Sequence, residues 1–374
     1  MPRLGKMGKM GKREIAAKFL GSRMARPLPG PRGSALRILA YHRVLDDDPR
    51  RFPYDEGVIS CTTEAFERQV AFAAKNFDVI SFAELYKIEC EGRRPPKRPL
   101  IITFDDGYRD NYTNAFPILK QAGLTATIFL AAGYIQAPKL FWWDLVAYCV
   151  KQTALSDIAL PGISAAPLCL SSAGDKPRAI EMILGWIKQA PDKVKNQFVE
   201  SLPVRLGVRV PKPDQARLQV TWEEVRLMAA NNIEFGSHTM THPILSNVCA
   251  DQLRTEVAGS KAVIEEQLGK EVIAFAYPVG GRRHFNNHVR AAVAGSGYKY
   301  AVSYLNGVAS LDRILPVRPP VHVSPPEPVR SASDPSLFSG SDERFSMARI
   351  HVEFGDSFSL FRANLMFPQL MLGG

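Results

Sequence analysis

No run of 18 apolar residues occurs anywhere in the 374-residue chain, so nothing in it reads as crossing a membrane. Cysteine is sparse as well. Cys61, Cys90, Cys149, Cys169 and Cys249 are scattered, odd in number and never spaced Cys-x-x-Cys. That argues against a disulfide framework and a cysteine-based zinc or redox motif, and fits reduced thiols in the cytoplasm. The N-terminus has no apolar stretch of signal-peptide length, because the best one, residues 15–20, is broken by Lys18. A cytoplasmic protein is therefore expected. No internal repeat is present, which excludes solenoids and propellers.

Outside its first residues the chain also lacks any excess of one charge. The formal net charge is +10, yet residues 1–37 hold ten Lys and Arg against the single Glu14, so the rest is close to neutral. A body with no basic excess gives no footprint for nucleic acid. Residues 1–36 read as a basic, disordered arm ending in the Pro- and Gly-rich hinge 27–33. Within it Ile15, Phe19 and Met24 form a short apolar stripe beside Lys12, Arg13, Lys18 and Arg23. Such a segment is either a solvated tail or a peripheral contact with the anionic inner face of a membrane.

What the chain does have is Leu100-Ile101-Ile102-Thr103-Phe104-Asp105-Asp106-Gly107. Five apolar or β-branched residues read as a buried strand, closed by a glycine. Two carboxylates stand side by side where it ends, and a turn at Gly107 lets both reach one mouth. Adjacent buried anions are tolerable if a cation sits on one or one holds a proton. A helix cap or Asp-rich turn before Asp110 and Asn111 is the other reading of this stretch. Downstream, Phe235-Gly236-Ser237-His238-Thr239-Met240-Thr241-His242-Pro243 places two imidazoles four residues apart, a spacing that suits one metal ion. One carboxylate and two imidazoles leave coordination positions open for water, the catalytic rather than the structural arrangement.

The remaining pattern alternates strands and helices, as in a parallel α/β fold. Strands are expected at 38–44, 78–80, 100–104, 125–131, 233–237, 272–277, 300–304 and 348–354, with helices between them. Residues 151–217 break this rhythm with a loop and two helices and read as an insertion on a barrel rim. A second insertion, 306–343, is rich in proline and serine and reads as irregular. Residues 37–374 are thus one domain. His42, Asp105-Asp106, His238 and Tyr277 all fall at C-terminal strand ends, where parallel barrels gather their chemistry.

Thr103-Phe104-Asp105-Asp106-Gly107 followed by Ser237-His238-Thr239-Met240-Thr241-His242-Pro243 resembles the first two motifs of the polysaccharide deacetylases, carbohydrate esterase family 4. Phe275-Ala276-Tyr277-Pro278-Val279-Gly280-Gly281 resembles the third motif as found in bacterial exopolysaccharide deacetylases. Tyr41-His42-Arg43-Val44 and Phe141-Trp142-Trp143-Asp144 are similar to the same branch. The resemblance covers about residues 37–370. It implies a distorted (β/α) barrel and a divalent metal, zinc first and cobalt, manganese or nickel as alternatives, held by Asp106, His238 and His242. It also implies Asp105 as general base, oxyanion binding at Tyr277, and an acetylated oligo- or polysaccharide as substrate.

Two departures from the family pattern stand out. No late Leu-x-His motif supplies a general acid, which leaves His42, His322 and His351 as candidates. The third motif lacks the arginine that orients the base, for which Arg282 and Arg349 are substitutes. Hydrolysis of a small non-sugar amide, or non-catalytic glycan binding on the same scaffold, are the alternative functions. Retention of both aspartates and both histidines argues against the second.

Overall fold

The computed structural model describes residues 35–135, 139–172, 174–211, 217–315 and 343–372, together with Glu14, Ala17 and Lys18. Seven parallel strands close into a ring. They are β1 Ala35–Tyr41, β2 Pro99–Phe104, β3 Ala126–Leu130, β4 Ile233–Ser237, β5 Ala274–Ala276, β6 Tyr300–Asn306 and β7 Met347–His351. Each pairs with the next, and β1 closes the ring by pairing with β7 on one side and β2 on the other. The β1–β2 register runs from Arg37 opposite Leu100 to Tyr41 opposite Phe104. This is the distorted (β/α) barrel expected from the sequence.

Side chains alternate across each strand, so one parity faces the ring axis and the other faces the helices. The outward set, with Leu39, Ile102, Phe104, Ile128 and Phe235, packs on the surrounding helices in the largest apolar cluster. The helix α1, Thr63–Asn76, joins that cluster through Phe66, Val70 and Ala73, and its N-cap Thr62 accepts from the Ala65 amide. The inward set begins as Leu36, Ile38, Ile101, Phe129, Ala274, Tyr300 and Met347. The helix α2, Phe82–Cys90, closes this lower end with Phe82 and Leu85.

Within residues 139–211, between β3 and β4, three helices stand outside the barrel: α3 Trp142–Gln152, α4 Asp175–Ile187 and α5 Asp192–Arg205. The expected loop contains a short antiparallel pair, Asp157–Ile158 with Leu168–Cys169. These elements share a second apolar cluster with Tyr108, Tyr134 and Phe141. Asp192 fastens α5 to the barrel. It pairs with Lys195 at 2.6 Å and accepts from Gln252 at 2.8 Å on the helix Ala250–Arg254.

The second insertion is not irregular at its start. Ala309–Ser310 pairs antiparallel with β1, and Leu311–Ile314 is a helical turn. Buried Ala309, Leu311 and Ile314 explain this, since they join the cluster at the lower end of the barrel. The rest of that insertion, with His322, lies outside the described residues, as does the basic arm apart from Glu14, Ala17, Lys18, Ala35 and Leu36.

Candidate active site

Inward residues change character along the ring axis. Above the apolar layer come Thr103 and Arg349, and above these, at the strand ends, His42, Asp105, His238 and Tyr304. Asp105 is read from the same parity as Ile101 and Thr103. Arg349 follows Met347 by the same two-residue step.

Arg349 is fully buried and grips Asp105 with two parallel hydrogen bonds, 2.8 Å to Oδ1 and 2.7 Å to Oδ2. Its Nε donates to the Ser303 carbonyl and its other terminal contact is Thr103 Oγ1. Burial alone would push the Asp105 carboxyl up, but Arg349, with His238 and His42, more than offsets this and holds it well below the usual carboxylate range. The orienting arginine that the third motif lacks therefore comes from the last strand, while Arg282 is exposed.

Asp106 turns the other way. Its φ of 74° lies in the left-handed region, as does Gly107 at 74°. A Cβ on Gly107 would fall 2.7 Å from Leu130, so the turn needs glycine for space as well as for φ. Asp106 Oδ1 lies 3.5 Å from His238 Nε2 and 3.4 Å from His242 Nε2, and the two nitrogens are 3.1 Å apart. His238 Nδ1 donates to the Ala276 carbonyl at 2.7 Å, which leaves a lone pair on Nε2. The His238–His242 loop also holds Thr239 at φ 71° and His242 at φ 54°, so strained backbone gathers here.

These three groups fit a divalent cation. Asp106 Oδ1 is buried with no hydrogen-bond partner among the described residues. Burial, then Asp105, pushes its carboxyl up, and burial pushes both imidazoles down. The set is thus two neutral imidazoles and one carboxylate short of positive charge. The centre of the near-equilateral triangle lies roughly 2 Å from each ligand atom, a metal–ligand distance.

The triad opens into a cleft of about 590 Å³, bordered by His42, Trp142, Trp143, Tyr277 and Tyr304 and by one face of α4. Trp143 packs on the His242 ring with centroids 4.4 Å apart. Its Nε1 donates to Tyr108 Oη, which in turn donates to the buried Asp144. Both tryptophans are about 95% buried, so they form the wall and core together.

The three proton-donor candidates separate. His42 borders the cleft with Nε2 3.8 Å from Asp105 Oδ2. Burial, against the pull of Asp105, pushes it down to about 4. His351 instead lies flat on Tyr304, centroids 3.7 Å apart, with Nε2 buried and without a hydrogen-bond partner among the described residues. His322 lies outside the described residues.

At Tyr277 the amide donates to Val302 O and the hydroxyl to Phe345 O. Its ring stacks on Phe285, so it serves the cleft as wall. Sequence reasoning missed Tyr304 and the Tyr108–Asp144 pair. The two-residue step from Tyr300 through Val302 was the signal available for Tyr304.

Comparison with known proteins agrees with this geometry. The profile of the polysaccharide deacetylase family matches residues 92–159 and 182–301, which include both aspartates and both histidines. YxkH of Bacillus subtilis, whose name assigns it to the polysaccharide deacetylases, is 23% identical over 291 residues, 78% of this chain and 72% of that protein. The poly-β-1,6-N-acetyl-D-glucosamine N-deacetylase of Escherichia coli is 31% identical over 93 residues, 25% of this chain and 13% of that enzyme. Among solved structures, the Streptococcus pyogenes deacetylase PplD, in complex with acetate, superposes with a TM-score of 0.51 at 19% identity. It covers 85% of this chain and 92% of PplD, and it speaks for the shared fold.

Proposed function

The chain belongs to the polysaccharide deacetylase family, metal-dependent hydrolases of acetylated carbohydrates, and on that premise we propose that it removes N-acetyl groups from a sugar within an oligo- or polysaccharide. Asp106, His238 and His242 would hold the metal, zinc in this reading, and Asp105 is the base. The observation that carries the reading is the buried Asp106 Oδ1, which no described residue hydrogen-bonds, facing two imidazole nitrogens within 3.5 Å. When bound, the cation supplies Lewis acidity that lowers the pKa of water and polarises the carbonyl.

The chain's own groups supply the proton path. Asp105, fixed by Arg349, accepts the proton of the attacking water. A carboxylate held that far down is a poor resting place for a proton. His42, 3.8 Å away, is placed to carry it to the departing amine nitrogen. The balance is amide plus water to ammonium plus acetate. The indole and phenol groups along the cleft favour a sugar ring over a small amide.

The proposal includes an address. The five cysteines are free thiols, and the basic residues of segment 1–36 favour the cytoplasm at an anionic inner leaflet. The decisive assay is acetate release from a panel of acetylated oligosaccharides, after chelation and after adding back Zn²⁺, Co²⁺, Mn²⁺ or Ni²⁺. Release should vanish with chelator and return with metal. Release that ignores chelation would rule out the metal assignment.

A further inference from the structure

Hydrolysis of an acetamide builds negative charge on the carbonyl oxygen, and a donor aimed at that oxygen accelerates the step. Four donors around this cleft are spent inside the protein. The Tyr277 amide serves Val302 O at 3.1 Å and its hydroxyl serves Phe345 O at 2.9 Å. Trp142 Nε1 serves His242 O at 3.2 Å, and Trp143 Nε1 serves Tyr108 Oη at 2.7 Å.

Tyr304 differs from these. It borders the cleft with His42, Asp105, Asp106 and His238. Among the described residues its hydroxyl has no hydrogen-bond partner. Its ring, by contrast, is fixed on several sides. His351 stacks flat on it at 3.7 Å, His42 meets it edge-on at 5.5 Å, and the Arg349 guanidinium lies 5.6 Å from its centroid. Its amide donates to Gly280 O at 2.9 Å. Gly280 sits at φ 56°, and a Cβ there would come 2.5 Å from Tyr304 N, so the third-motif turn presses directly on this residue. A ring held this firmly on the cleft wall, with a hydroxyl that no described residue occupies, is a preorganised donor.

We infer that Tyr304 is a further catalytic residue, whose Oη donates a hydrogen bond to the acetyl carbonyl oxygen as it becomes an oxyanion. The inference rests on the deacetylase reading and adds to it a side chain from β6 that none of the three sequence motifs contains. The hydroxyl keeps its own proton throughout. It stabilises charge and releases the oxygen when the C–N bond breaks and the carbonyl re-forms on acetate.

The test compares full-length, metal-loaded wild type with Tyr304→Phe, which keeps the ring and its stack on His351. Two probes are used, an N-acetylglucosamine pentamer and 4-nitrophenyl acetate, which offers the acetyl group without a sugar. With metal content and melting temperature unchanged, kcat should fall about 10- to 100-fold on each probe turned over, with KM within about threefold. Unchanged kcat in Tyr304→Phe, or a loss confined to KM, would overturn the inference. Should wild type cleave only the ester, the sugar assignment fails while Tyr304 is still tested on the ester.

Discussion

Asp105 and Asp106 are joined by a peptide bond, yet one is neutralised by Arg349 and the other has no ion pair with a Lys or Arg among the described residues. Asp105→Asn should therefore keep its metal, measured by elemental analysis, while turnover falls by about two to four orders of magnitude. Asp106→Asn should lose metal, and the reverse pattern would exchange the two roles. His351 gives a second prediction. Burial, followed by Arg349 and His42, pushes it down to about 3. Above pH 6.5 both folded and unfolded forms are neutral there and pH has no effect through this group. As pH falls below 6.5 the unfolded chain takes up a proton that the folded chain refuses, so stability is lost progressively towards pH 3. At pH 5 that loss is at most about 2 kcal/mol. His351→Phe keeps a flat ring on Tyr304 and removes the titration. Its urea midpoint should drop less than that of wild type between pH 7.5 and pH 5.

At the scale of elements, the strands were legible because their signals are local: β-branched runs such as Leu100 to Thr103, ended by turn residues. The Asp105–Asp106 and His238–His242 ends were legible for the same reason. Ring closure between β1 and β2 was not, because Arg37 and Leu100 become neighbours only in three dimensions. Arg349 was one of two candidates until the fold put it beside Asp105, 244 positions away in sequence. The pair at Asp157–Ile158 and Leu168–Cys169 escaped because two-residue strands carry no period. The insertion helices yield their own test. Asp192→Ala would strand Lys195, which is about 97% buried, without its counter-ion and cut the Gln252 link. A loss of about 3 kcal/mol is expected in chemical denaturation. A change below about 0.5 kcal/mol would show that α5 holds its place by apolar packing alone.

For the whole molecule, the strand direction separates two ends. The chemistry sits where β2 and β4 finish, while the basic segment joins the barrel where β1 begins, at Ala35. Deleting residues 1–30 removes eight basic residues and one acidic residue and leaves every proposed site residue in place. Turnover on a soluble substrate should hold. Binding to anionic vesicles at low salt should disappear, at about 1 kcal/mol for each basic residue that had met the surface. Equal vesicle binding by both forms, measured by co-sedimentation, would show the segment to be inert.

The second apolar cluster, built by α3, α4 and α5 around Trp143 and Phe141, has a consequence for how the protein fails. It supports the wall against His242, yet it stands apart from the larger cluster under the barrel helices. The rim cluster is expected to open as its own cooperative unit, at a lower cost than the larger cluster under the barrel helices. Heating should then silence the enzyme before its barrel melts. A sample held in that interval would keep its barrel's circular dichroism and recover activity on cooling, a reversible dormancy set by the rim rather than by the ring.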